Sequence, residues 1–281
     1  MSEEILNPVA ERAARQNIID EKNFEPLWRQ NIDIPMIEMC FGCGMPKSPV
    51  ILMPELRFKT FLINLTECLP ATGKVMIVNN ANTQFELFRA SVRKNVQNLY
   101  FSAQEISALN YADNIFDDVL TQLSLYSTTH AEAVLSGYRR VLKPGGFLIC
   151  CMPQMGTFTA FFDFLDECLF AMNPDIERTI MQDLYTSIKP ASCKAALENV
   201  GLEVKGQEDV SFELSFPTVE QLLFSSYVES HFLGYCLNLM EPGLDTRQLL
   251  TRLVRSFHCY LQNETPKISV KCAIFTAQKP A

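Results

Sequence analysis

Basic residues are scarce in this chain, and so are long apolar runs. The 281 residues include 24 Lys and Arg against 32 Asp and Glu, which gives a net charge of -8 and a pI near 5.0. Binding to a nucleic-acid backbone requires a cluster of positive charge, and no run of Lys or Arg supplies one. No apolar run reaches the ~18 residues that a helix needs to cross a bilayer. We therefore expect neither a nucleic-acid partner nor a membrane span.

Histidines and paired cysteine motifs are equally scarce, which bears on metal binding. The chain has three histidines and ten cysteines, and one Cys-x-x-Cys joins Cys40 to Cys43. A tetrahedral zinc site needs four ligands, and no second such motif follows. We expect no metal. The scattered cysteines, with no signal peptide before them, predict reduced thiols and a cytoplasmic location.

Strand and helix patterns alternate from Val50 onward. The predicted strands are VILM, KVMIV, NLYFSA, DDVLTQLSL and GFLICCMP, with helical patterns between most of them. Such alternation predicts an α/β fold with a mostly parallel sheet. Two later strands, EVKGQEDVSFEL and KISVKCAIFTAQ, predict an antiparallel edge at the C-terminus. We divide the chain into an N-terminal arm or lid segment, 1–49, and a domain, 50–281, with helical insertions at about 156–187 and 218–261.

Glycine is absent where an α/β enzyme commonly has a glycine-rich loop. The stretch VILMPELRFKTF, Val50 to Phe61, passes from strand to helix without one. Glycine permits positive φ and close approach of the backbone to a ligand, whereas Pro54 fixes φ and removes an N–H donor. The side chains of Leu56 and Phe58 would also project into the space that a ligand needs.

The segment DNIFDDVLTQLSLYSTTHAEAVLSGYRRVLKPGGFLICCMP carries a specific resemblance. Its Asp113, Asn114, Phe116 and Asp117, followed by the ungapped run Arg140 to Gly146, resemble the class I S-adenosylmethionine-dependent methyltransferases, in particular the quinone-biosynthesis C-methyltransferases. The resemblance covers Val50 to Pro280. It implies a Rossmann-like methyltransferase fold with helical lid insertions.

Several positions depart from the family pattern in ways that bear on the cofactor. The acid that ends the first strand becomes Met53, and the three loop glycines become Glu55, Arg57 and Lys59. The resemblance implies that Asn79 replaces the ribose-binding acid, which removes the charge that strengthens that contact. It also implies that Glu105 takes the place of the acid that binds the adenine amino group. An alternative aligns FGCGMP, Phe41 to Pro46, with the glycine loop.

The region after the fourth predicted strand is where family members meet the methyl acceptor. The resemblance implies that Tyr126 contacts the cofactor there. If the protein is active, Tyr126 and His130 are the catalytic candidates, because methyl transfer to oxygen or acidic carbon requires a general base. In the alternative, His130 starts a surface helix. His231 and His258 belong to an apolar helical insertion, where packing or hydrogen bonding is the expected role.

A Phe-rich helix over residues 157–172 is the main candidate for a contact surface. Phe158, Phe161 and Phe162 belong to one helical stripe, while Phe164 and Phe170 lie off it. The surplus aromatic rings suit a lid, an apolar ligand pocket or an interface. We expect a protein partner or self-association through this helix, or binding of an apolar small molecule.

Two functions follow from these features. In the first, the degenerate loop has lost S-adenosylmethionine binding, no cofactor is needed, and the protein is a binding, regulatory or assembly pseudoenzyme. In the second, it is an active S-adenosylmethionine-dependent methyltransferase that acts on a small apolar acceptor. The number of altered cofactor contacts favours the first.

Overall fold

The computed structural model of the chain describes residues 25–55, 59–79, 89–90, 92, 98–123, 127–128, 130–172, 188–223, 225, 228, 245–262 and 264–281. Residues 1–24 of the predicted N-terminal arm or lid segment lie outside these ranges.

Seven strands form one sheet in the order β3-β2-β1-β4-β5-β7-β6. Their bounds are Val50–Pro54 (β1), Lys74–Asn79 (β2), Leu99–Ala103 (β3), Phe116–Gln122 (β4), Leu142–Pro153 (β5), Glu203–Ser215 (β6) and Lys267–Gln278 (β7). Strands β1 to β5 pair in parallel, and β7 pairs antiparallel to β5. The predicted mostly parallel sheet with an antiparallel C-terminal edge is confirmed.

Eight α-helices are described. They are Glu25–Trp28 (α1), Ile34–Gly42 (α2), Lys59–Cys68 (α3), Ala131–Val141 (α4), Thr159–Met172 (α5), Pro190–Asn199 (α6), Val219–Leu223 (α7) and Thr246–Leu261 (α8). A π-helical turn, Arg29–Asp33, joins α1 to α2, and a 3₁₀ turn, Ile106–Ala108, follows β3. None of the described helices is long and apolar enough to cross a membrane.

The helix α4 shows why the RVLKPGG segment folds as it does. Its apolar residues recur at helical spacing, so that Val134, Leu135, Tyr138 and Val141 are all buried. They pack with α6 and with one face of the sheet in a single core cluster. The helix ends before Pro144, and the chain turns directly into β5.

The chain divides into two compact units. One contains residues 29–154, 187–210 and 272–281, and hence the five parallel strands. The other contains residues 1–28, 155–186 and 211–271; within it α8 contacts α5 and α7. The domain and insertion boundaries given above stay predictions.

Candidate functional site

The strand order determines where a ligand would bind in the unit that holds the parallel strands. From β1 the chain moves outward to β2 and β3, then returns to the other side of β1 as β4. In open α/β sheets, ligands bind beyond the carboxyl ends of the strands at such a switch point. Here those ends carry Glu55 after β1, Asn79 at the end of β2, Glu105 after β3 and Gln122 at the end of β4.

The turn after β1 keeps a glycine-like backbone although it contains no glycine. Glu55 has φ of 56°, in the left-handed region that favours glycine. Its N–H donates to the carbonyl oxygen of Val78 at 3.0 Å. The backbone conformation that glycine normally permits at this first loop position is therefore adopted by a glutamate.

The side chain of Glu55 points into the molecule, where it lies only 6% exposed. The hydroxyl of Tyr138, on α4, donates to its Oε1 at 3.4 Å, and Thr121 Oγ1 donates to the carbonyl oxygen of Pro54 at 3.2 Å. Burial and then the nearby Glu55 carboxylate raise the pKa of Tyr138 well above its usual value.

This geometry corrects one expectation about the loop. From the sequence, a glutamate in place of the first loop glycine is one sign of a lost cofactor site. Its carboxylate instead lies buried in contact with Tyr138 on α4. Residues 56–58, which include Arg57 and Phe58, lie outside the described residues, as does the side chain of Lys59.

Asn79 and Glu105 lie along the same stretch of the sheet edge. Asn79 is half-buried and pairs with Ala103 of β3, and its carbonyl oxygen accepts the N–H of Gln104 at 3.1 Å. Glu105 follows directly and is exposed. A carboxamide and a carboxylate so placed match the hydroxyls and amino group of a nucleoside, so the residues fit the cofactor that the family resemblance implies.

A buried carboxylate at the end of β4 was missed in the sequence. Asp33 is fully buried where the π-helical turn meets α2, and Gln122 Nε2 donates to its Oδ1 at 2.7 Å. The local signal was an acid enclosed by apolar residues in NIDIPMIEM. Its partner lies 89 positions away, so the contact could not be inferred from spacing. The pair fixes the N-terminal helical segment to the carboxyl end of β4.

His130 lies beside a cleft with a volume of 310 Å³. The cleft runs between the N-termini of α4 and α6 and is lined by, among others, Thr128, His130, Glu132, Met152, Ser192 and Cys193. Burial raises the pKa of Cys193 to about 11, although a hydrogen bond from Gln154 opposes this, so its thiol is protonated at neutral pH. Tyr126 lies outside the described residues.

The Cys-x-x-Cys motif does not form a loop. Cys40 is buried in α2, and burial followed by the nearby Asp118 raises the pKa of both Cys40 and Cys43. Phe41 and Gly42 are the last residues of the same helix, so FGCGMP begins inside a helix and does not follow a strand. The alternative alignment of FGCGMP with the glycine loop is therefore wrong. Within the described ranges, no three His, Cys, Asp or Glu side chains are placed to hold a metal ion.

Comparison with known proteins agrees with this fold. Residues 63–150 match the methyltransferase domain family. The ubiquinone/menaquinone biosynthesis C-methyltransferase UbiE of Klebsiella pneumoniae is 34% identical over 80 residues, which are 28% of this chain and 32% of the relative. The same enzyme of Acidiphilium cryptum is 25% identical over 182 residues, 64% of this chain and 70% of the relative. The chain thus matches only about a third of the Klebsiella relative.

Solved structures show the same architecture at low identity. A Bacillus halodurans protein assigned to the methyltransferases has a TM-score of 0.56 and 14% identity, covering 89% of this chain and 99% of its own. Phosphoethanolamine N-methyltransferase 2 of Haemonchus contortus, solved with S-adenosylmethionine, has a TM-score of 0.52 and 14% identity, covering 90% of this chain and 53% of its own. At these identities the likeness concerns the fold alone.

These findings overturn the expectation that no cofactor is needed. That expectation rested on the missing glycines, but the relatives are C-methyltransferases and one structural neighbour was solved with S-adenosylmethionine. The physical reason for the error is that Glu55 keeps the glycine-like φ and turns its side chain away. The domain match over residues 63–150 and the observed sheet order support the resemblance to the class I S-adenosylmethionine-dependent methyltransferases.

Proposed function

We propose that this protein is an S-adenosylmethionine-dependent methyltransferase that acts on a small, largely apolar acceptor. The observation that carries the proposal is the turn at Glu55, which keeps a glycine-like backbone at the switch point while its carboxylate points toward α4. The bound cofactor would supply an electrophilic methyl group on a sulfonium. Asn79 would hold the ribose hydroxyls and Glu105 the adenine amino group.

The acceptor end of the site is proposed to involve the cleft beside His130. Its lining combines apolar side chains, Met152 and Ala196 among them, with the imidazole of His130. A neutral imidazole there would take the proton that the acceptor loses as its carbon or oxygen is methylated. The relatives' name, C-methyltransferase, supports carbon as the acceptor atom. The cytoplasmic location and the role of Tyr126 stay predictions.

Cofactor titration tests this function directly. We expect purified protein to bind S-adenosylmethionine in a calorimetric titration, and Glu105→Ala to bind it about 5- to 150-fold more weakly, because a charge-assisted hydrogen bond contributes roughly 1–3 kcal/mol. Glu203→Ala, which removes an exposed carboxylate on β6, is the control for the change in net charge. Absence of binding by the wild-type protein at millimolar ligand would contradict the proposed function. Equal affinities of the two variants would contradict the role of Glu105.

Self-association through the Phe-rich helix α5 stays a prediction, now with a better-defined surface. The ring of Phe164 packs against Phe257 and Tyr260 of α8, with centroid distances of 4.6 and 5.1 Å. Phe170 is 47% exposed and Tyr260 is 68% exposed. Phe164, which lies off the predicted stripe, is therefore covered in part by α8, and Phe170 is the better residue to change.

A single charge at Phe170 tests this surface. We expect Phe170→Asp to lower the molar mass in light scattering from that of a dimer to that of a monomer, because a carboxylate in an apolar contact is poorly solvated. The exposed Glu167→Ala on the same helix should leave the mass unchanged. A wild-type protein that is already monomeric across micromolar concentrations would exclude self-association.

A further inference from the structure

The turn that follows β1 contains two residues that restrict its backbone. Pro54 fixes its own φ and lacks an N–H, and Glu55 adopts φ of 56°. The left-handed region brings the Cβ of an L-residue close to the backbone, so a glutamate there is disfavoured relative to glycine. Such a conformation persists only when surrounding contacts determine it.

Contacts of this kind surround the turn on three sides. The N–H of Glu55 donates to Val78 of β2, the carbonyl oxygen of Pro54 accepts from Thr121 of β4, and the carboxylate of Glu55 accepts from Tyr138 of α4. The side chains of Glu55, Thr121 and Tyr138 are all buried. A buried polar group is costly when it lacks a partner, so the network favours one arrangement of the turn.

The hydrogen-bond network around Glu55 lies beside the candidate cofactor site. β1 and β4 flank the switch point, and Thr121 precedes Gln122, the last residue of β4. A glycine at position 55 would allow the same φ but would have no side chain to reach α4. It would also leave the backbone free to sample other conformations.

We propose that Glu55 is a positioning residue: its buried carboxylate, held by Tyr138, fixes the first turn of the cofactor loop in the conformation that glycine provides in related proteins. The inference rests on the proposed function, which supplies the cofactor. The effect that this proposal predicts for a glycine at position 55 is the opposite of the effect expected from backbone strain alone. Glu55→Gly restores the family's residue and relieves the disfavoured φ, yet it should weaken cofactor binding because the turn loses its anchor.

Four proteins test this: the wild type, Glu55→Gly, Glu55→Gln and Tyr138→Phe. We expect Glu55→Gly and Tyr138→Phe to bind S-adenosylmethionine about tenfold more weakly than the wild type. Glu55→Gln should bind it within about twofold, because the amide oxygen still accepts from Tyr138. A melting curve of each variant verifies that the titrated protein is folded. A Glu55→Gly variant that binds as tightly as the wild type, or more tightly, would overturn the proposal.

Hydrogen exchange of the ligand-free protein separates this inference from the proposed function. The amide of residue 55, which donates to Val78 in the wild type, should have a protection factor at least about tenfold lower in Glu55→Gly and Tyr138→Phe than in the wild type and Glu55→Gln. Equal exchange in all four proteins would overturn the anchor even where the cofactor binds. A wild type that binds no cofactor, with the exchange pattern as expected, would contradict the proposed function and leave the anchored turn supported.

Discussion

Gly146→Ala is expected to lower the free energy of unfolding by about 1–3 kcal/mol, the cost of forcing a methyl group against closely packed backbone. A Cβ at this position would overlap the carbonyl oxygen of Asp117, and it would lie 3.0 Å from the carbonyl oxygen of Lys143 and 3.3 Å from Leu142 Cδ2. Backbone atoms cannot move aside as a flexible side chain can. Chemical denaturation measures the change.

Gly137→Ala is the matched control, since it adds the same methyl group nine residues earlier. Gly137 lies inside α4, and a Cβ there has no neighbour within 4 Å. Alanine favours the helix over glycine, so this variant should gain up to about 1 kcal/mol. Similar losses in both variants would show that the effect at Gly146 does not come from the contact with Asp117.

The fold could be predicted because its signals are local. Helix α4 has buried residues at helical spacing and a Pro-Gly-Gly sequence after it, and both features are visible without a structure. Strand β1 is a short apolar run, and the helix predicted after it is described over Lys59–Cys68. Local periodicity determines such elements, and their alternation determines a parallel sheet.

The site could be predicted only in part, because its decisive contacts are distant in sequence. Asn79 and Glu105 could be placed from the resemblance, since each stands at the end of a strand. The direction of the Glu55 side chain depends on Tyr138, 83 positions away. The absence of glycine at position 55 suggested that the cofactor site is lost. Glu55 nevertheless adopts the left-handed backbone conformation that glycine would permit.

A buried acid beside the N-terminal helical segment gives the second large effect. Asp118 of β4 is 5% exposed, and the N–H of Phe147 donates to its Oδ1 at 3.3 Å. Burial raises the pKa of Asp118 from 3.8 to about 6; the Phe147 hydrogen bond lowers it, the charge of Asp117 raises it, and Lys143 lowers it. At neutral pH the folded protein therefore carries a poorly solvated charge.

The sign of the pH dependence follows from this pKa. Because the pKa of Asp118 is higher in the folded than in the unfolded chain, its contribution to stability is fully present below pH 3.8 and is lost as pH rises through about 6. The gap between these values corresponds to about 3 kcal/mol. Asp118→Asn keeps an acceptor for Phe147 without the charge, so it should raise the free energy of unfolding by about 1–3 kcal/mol at pH 8.

Urea denaturation of Asp118→Asn and the wild type between pH 8 and pH 4.5 tests this. The increase in the free energy of unfolding of the variant should shrink steadily as the pH falls.

The adjacent Asp117→Asn makes the same chemical change with the opposite expected effect on stability. Asp117 pairs with Lys143 at 2.7 Å and accepts the N–H of Val50 at 2.8 Å, so removing its charge should destabilise the protein at pH 8. An Asp118→Asn variant that is less stable at pH 8, or that differs from wild type equally at every pH, would show that the charge of Asp118 is compensated in the folded chain. Opposite effects at neighbouring positions would instead show that solvation, and not charge alone, decides how an acid on β4 affects stability.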